Sequence, residues 1–116
     1  MKQGEIWLVT LEPSVGAEMR KTRPALIVSA DALGRLPLKI VVPITDWKER
    51  FVSFPWMVKI EPSEKNGLAK ESAVDCFQIR SVSVERLTVP VGAAEPKTIA
   101  QVRRAVSQLL ERYETA

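Results

Sequence analysis

Short apolar runs broken by turn residues dominate the chain. Residues 5–11, Glu-Ile-Trp-Leu-Val-Thr-Leu, are rich in β-branched and aromatic residues and too short for a good helix, so they predict a strand. Residues 12–23 carry Pro13, Ser14, Gly16 and a Lys/Arg cluster, the composition of a loop. Residues 24–30 and 38–44 are apolar runs that predict two buried strands, with Gly34 and Pro37 marking the turn between them. Pro43 has no N–H for a ladder, which predicts an edge or a bulge there. A second polar loop spans 45–54. Residues 56–61 alternate, with Trp56, Val58 and Ile60 on one face and Lys59 and Glu61 on the other. Asn66-Gly67 supplies a positive-φ turn before a strand near 71–79. Residues 81–87 read as a short helical turn with Ser83 as cap, and 87–91 as a last strand.

Residues 97–113 predict a helix, because Ile99, Val102, Val106, Leu109, Leu110 and Tyr113 fall at helical spacing. Thr98 with Gln101 fits a capping box, and Pro96 as first helical residue is a competing start. The sum is about six strands and one terminal helix, with no repeat and no linker. Short strands with frequent turns favour a mainly β small barrel with a C-terminal helix.

Composition narrows the chemistry. A chain of 116 residues, 46% hydrophobic and 27% charged, is expected to form one domain, 1–116. No apolar run approaches a membrane span, and the first residues enter a strand pattern, so no secretory signal is expected. Cys76 is the only cysteine, so no intramolecular disulfide forms; a cytoplasmic location is expected. The absence of histidine removes Ser-His-Asp triads and His metal cages. The five glycines form no phosphate-binding loop. A net charge of +3 permits an anionic partner without identifying it.

The most informative stretch is 13–29, where a basic loop with one embedded carboxylate, Glu18, leads into an apolar strand. Pro24 restricts Arg23 to extended conformations, and an arginine held that way can present its fork to a phosphate. The bland alternative is a solvated turn of Arg20, Lys21 and Arg23. The second loop places Lys48 and Arg50 among Trp47, Phe51, Phe54 and Trp56. Trp47 and Phe51 are the candidates for stacking unpaired bases, while Phe54 and Trp56 are expected to fill the barrel or an interface. Arg103, Arg104 and Arg112 read as the solvated face of the helix, and Cys76 as a small buried hydrophobe.

Several segments together resemble the MazF/PemK family, toxins of bacterial type II toxin–antitoxin pairs. They are Gly4-Glu5-Ile6-Trp7, the run Gly16-x-Glu18-x4-Arg23-Pro24 followed by Ala25 to Ser29, Val42-Pro43-Ile44-Thr45, and Gln78-Ile79-Arg80-Ser81-Val82 before Arg86-Leu87. The resemblance covers the whole chain. It implies an SH3-like barrel and a cytoplasmic homodimer that needs no cofactor or metal. It also implies sequence-specific cleavage of single-stranded RNA, chiefly messenger RNA, by attack of the ribose 2′-hydroxyl on the adjacent phosphate. The implied catalytic residues are Arg23, Thr45 and Glu18. Arg23 suits charge stabilisation, Thr45 positioning and Glu18 the base. Arg20, Lys21, Trp47, Lys48, Arg50, Phe51 and Gln78 are the candidate RNA contacts. The implied partners are the RNA, a MazE-like antitoxin with an acidic tail, a second copy of the chain, and operator DNA only through the antitoxin complex; no membrane is involved. The same fold resembles CcdB, a toxin that binds gyrase and cuts nothing, so fold alone leaves that alternative open, as it does an inactive nucleic-acid-binding homologue.

One departure stands out. Several family members carry an acidic residue immediately before the Gln of the Gln-Ile-Arg segment, and this chain has Phe77. On a continuous strand Asp75 and Phe77 would share a face, offering an offset carboxylate. Gln78 is expected to hold the loop rather than read a base.

Overall fold

The computed structural model describes residues 1–33 and 35–111. Seven antiparallel strands build one sheet: β1 (Glu5–Thr10), β2 (Thr22–Ile27), β3 (Leu38–Asp46), β4 (Met57–Ile60), β5 (Ser72–Asp75), β6 (Arg80–Ser83) and β7 (Leu87–Ala93). One helix, α1 (Pro96–Leu109), follows. The sheet order is β4-β5-β3-β2-β1-β7, and β6 also pairs with β3.

The long strand β3 organises the sheet. One of its edges lies on β2, and the other passes from β6, ending at Val41↔Arg80, to β5, beginning at Ile44↔Val74. Pro43 falls in that gap, on the side without a partner, so its missing N–H breaks no ladder bond. This corrects the expectation of an edge or bulge: Pro43 is buried in a central strand.

The apolar runs reflect burial on both faces. Along β2 and β3, Leu26, Val42 and Ile44 pack with Ile6, Val58, Ile60 and Val74 beneath α1, which contributes Val102 and Ala105. The alternate residues Ala25, Ile27 and Val41 pack with Val9, Leu11, Val82 and Leu87 on the other face of the sheet. The sheet is barrel-like but not closed by a ladder, since β4 and β7 are its ends. The loop after β4 bridges them: Ala93 N–H donates to the Lys65 carbonyl at 2.9 Å. Gly67 (φ +69°) packs so closely that an added Cβ would lie 2.1 Å from the Val91 carbonyl oxygen.

Several local expectations are corrected. There are seven strands rather than about six, and Arg23 lies within β2 rather than in the loop. The expected strand at 71–79 is broken. Asp75 ends β5, and its carboxylate accepts the Phe77 N–H at 3.1 Å, folding Cys76–Gln78 into a 3-10 turn. Phe77 and Asp75 therefore do not share a strand face. Ser83 caps a 3-10 turn as expected, accepting from Glu85 N–H, but that turn starts only at Val84, because residues 80–83 pair with β3. The helix starts with Pro96 in its first turn after Glu95, so the Thr98–Gln101 capping box does not form and Thr98 is buried instead. Leu110 lies past the helix end and is exposed; Arg112 and Tyr113 lie outside the described residues. No helix among the described residues is long and apolar enough to cross a membrane.

Candidate active site

The β2–β3 register pairs Ala25 with Pro43; continued one step along the same face, it sets Arg23 opposite Thr45. The two side chains meet: Arg23 Nη1 donates to Thr45 Oγ1 at 3.4 Å. Arg23 Nε–H donates to the Arg20 carbonyl at 3.2 Å, which fixes the guanidinium plane from its other edge. Nη2 makes no hydrogen bond among the described residues and keeps its donors for a ligand. Both residues are half-buried. Asp46, next along β3, points to the opposite face and pairs with Lys70 at 3.3 Å. Arg23 has no carboxylate partner among the described residues, and neither do Arg20, Lys21 and Arg80. The arrangement is therefore a positive centre without an ion pair among the described residues, beside a hydroxyl, and suited to a phosphate.

The basic loop is anchored at several points. Lys21 sits in the left-handed region (φ +67°), and its N–H donates to the Glu12 carboxylate at 2.9 Å, which holds the Glu12 pKa below the usual range. Arg86 donates to the carbonyls of Thr10 and Glu12. Gln78 uses both ends of its amide on the loop: Oε1 accepts Met19 N–H and Nε2 donates to the Ala17 carbonyl, each at 3.2 Å. Glu18 is exposed and forms no ion pair with Arg20 or Lys21 among the described residues; one of its oxygens accepts Val15 N–H at 2.7 Å. Between this loop and the 3-10 turn lies a groove of about 310 Å³, with Glu18, Met19, Pro43, Phe77, Gln78 and Arg80 among its walls. Pro43 connects the groove to Thr45, two residues on along the same face of β3.

Residues 2–110 match the family model described as PemK-like, MazF-like toxin of type II toxin-antitoxin system. The chain belongs to this family. It is 32% identical to the endoribonuclease MazF9 of Mycobacterium tuberculosis, with 96% of this chain and 97% of that protein aligned. It is similar in structure to MazF of Deinococcus radiodurans, with a TM-score of 0.78, 25% identity and coverage of 95% and 96% of the two chains. The MazE–MazF complex of the same organism superposes on it with a TM-score of 0.73, also at 25% identity, over 95% of each chain.

In this MazF-like chain the remaining candidate residues divide into two groups. Arg20 and Lys21 stand exposed beside Arg23, and Gln78 is spent on holding the loop. Trp47, Lys48, Arg50 and Phe51 form a separate cluster. Phe51 is buried, its ring edge-on to Trp47 at 5.7 Å, which corrects its assignment as a base-stacking residue. Trp47 is half-buried under the Lys59 ammonium, 5.1 Å from the ring centre, and its buried Nε1–H has no partner among the described residues. Lys48, just before the 3-10 turn Glu49–Ser53, and Arg50 within it are both exposed, with the Arg50 guanidinium over the Phe51 ring. Two groove residues, Phe77 and Arg80, were not among the sequence-derived contacts. The Gln-Ile-Arg segment contained the signal for Arg80. Phe77 stood out only as a departure from the family pattern.

Proposed function

We propose that this protein is the RNA-cleaving toxin of a type II toxin–antitoxin pair, cutting single-stranded RNA by attack of a ribose 2′-hydroxyl on the adjacent phosphate. The contact between Arg23 and Thr45 carries this reading. It joins a permanently charged fork to a hydroxyl on a rigid sheet, with no carboxylate neutralising it among the described residues.

The chemistry follows from what each group can do. The 2′-oxygen bonds to phosphorus and closes a 2′,3′-cyclic phosphate, while the P–O5′ bond breaks and the 5′-oxygen leaves as a hydroxyl with a proton from solvent water. Negative charge builds on the non-bridging oxygens, and Arg23, already held by Arg20 and Thr45, meets that charge without reorganising. Thr45 hydrogen-bonds a phosphate oxygen and sets the phosphorus in line. Glu18 overlooks the groove and has one carboxylate oxygen without a hydrogen bond among the described residues, which suits it to take the 2′-hydroxyl proton. Arg20 and Lys21, with Lys48 and Arg50 further off, hold the backbone without reading sequence. The reading includes a cytoplasmic homodimer, no metal, and inhibition by a MazE-like antitoxin, through which alone operator DNA is contacted. The solved MazE–MazF complex of the relative supports the antitoxin. No observation favours the gyrase-binding or binding-only alternatives.

The test is to incubate the purified protein with a long single-stranded RNA in EDTA and map the new 5′ ends. Discrete cuts bearing 5′-hydroxyl ends are expected. Intact RNA from a folded protein, over several RNAs, overturns the proposal.

A further inference from the structure

Phe77 is the one aromatic side chain among the described residues that is exposed, at 64%. The others are committed elsewhere. Phe51 is buried, Trp47 lies under Lys59, and Phe54 and Trp56 stack on each other at 4.9 Å and 5°. Phe77 meets Trp56 at 83° with centroids 5.6 Å apart, an edge-to-face contact that leaves a face of the pair open.

Its backbone is held tightly for so exposed a side chain. The Asp75 carboxylate accepts the Phe77 N–H, Cys76 N–H donates to the Trp56 carbonyl at 3.0 Å, and the 3-10 turn fixes the residues on either side. The ring borders the groove whose walls include apolar Leu11, Met19, Pro43 and Ile79, together with Arg80, a cation without an ion pair among the described residues. A fixed aromatic face, an apolar floor and an unpaired guanidinium are the elements that take an unstacked base and its phosphate.

We propose that Phe77 is a specificity-determining stacking residue. It receives one unpaired base next to the scissile phosphate, while Arg80 binds the phosphate on the far side of that base. This inference rests on the RNA-cleavage reading and deepens it.

A random-sequence single-stranded RNA pool is the probe, used for cleavage profiles with Arg23 intact and for binding in an Arg23→Ala background. Phe77→Ala is expected to weaken binding roughly 5- to 150-fold, the range for losing one base–aromatic stack, and to blur one position of the cut profile beside the scissile bond. Phe77→Tyr and Phe77→Trp should keep affinity, and Phe77→Leu should behave as Phe77→Ala, because a stack needs the ring and not merely apolar bulk. If the wild type cuts RNA and Phe77→Leu binds and cuts with the wild-type profile, the stacking role is wrong and the nuclease reading stands. If the wild type cuts nothing while Phe77→Ala still loses affinity, stacking stands and the nuclease reading falls. Unchanged RNA affinity with lost binding of an acidic polypeptide reassigns Phe77 to protein docking and overturns the proposal. The exposed position predicts at most a small drop in thermal unfolding for Phe77→Ala and Phe77→Leu, from the lost edge contact with Trp56, and none for Phe77→Tyr and Phe77→Trp; should Phe77→Ala fail to fold, the contrast between Phe77→Leu and Phe77→Tyr carries the decision.

Discussion

At the residue scale, the environment of each side chain decides whether it acts. Cys76 is fully buried, and desolvation, then the neighbouring Asp75 charge, pushes its thiol up to about 12. It should resist a thiol reagent at pH 8 and react at once when denaturant is added; rapid labelling of the native protein would contradict the burial described. Asp75 is raised above the usual carboxylate range by burial, which outweighs the Phe77 N–H bond that lowers it. The sign follows from proton binding. Above the unfolded value of 3.8 the folded state holds this proton more tightly, so its contribution to stability falls as pH rises through the folded pKa. Asp75→Asn keeps an acceptor for Phe77 N–H and removes the charge. It should therefore raise the melting temperature at pH 7 and lose that advantage near pH 3, as followed by thermal melts at both values. An equal shift at both pH values would show that desolvation of the charge is not the cause. The burial of Cys76 was legible in the sequence, but that of Asp75 was not, because the turn around it is set by the carboxylate–amide bond to Phe77 together with the Cys76 N–H on the Trp56 carbonyl.

At the scale of elements, apolar runs and turn residues located most strands, because a segment buried on both faces needs little beyond continuous hydrophobicity. The boundaries were not legible. Arg23 was read as a loop residue, yet cross-strand pairing with Val9 carries β2 back to Thr22. The helix start was ambiguous between two local signals, and Pro96 prevailed because Thr98 is buried by packing. The Asn66-Gly67 turn was legible, but its role of joining the two open ends of the sheet was not. Gly67→Ala should cost about 1–3 kcal/mol for its positive φ alone, and more for the clash with the Val91 carbonyl. Gly16→Ala, at φ +60° with nothing near its Cβ, should lose only the conformational part. Urea melts compare the two, and equal losses would show that the contact between the β4 loop and β7 does not matter.

At the scale of the whole molecule, the site is a product of topology. Arg23 and Thr45 are 22 residues apart, and only the β2–β3 register makes them neighbours. Their pairing was available from the sequence through the family resemblance and not from local pattern, since no periodicity relates a loop arginine to a strand-end threonine. The groove beside them needs three distant segments, the 17–19 loop, β3 and the turn at 76–78, and Gln78 ties the loop to the turn. The second loop, with basic residues among aromatic ones, satisfied the composition rules for an RNA contact and folds largely on itself, so composition alone did not separate the groove from its decoy. The central claim is that Arg23, held by Thr45, stabilises the charge that develops at phosphorus. Its most direct test is the single-turnover cleavage rate of one RNA bearing a mapped cut site, compared between the wild type and Arg23→Ala at saturating protein. The account predicts a loss of roughly 10²–10³-fold, with the folded state intact by circular dichroism. Cleavage by Arg23→Ala at the wild-type rate would contradict it.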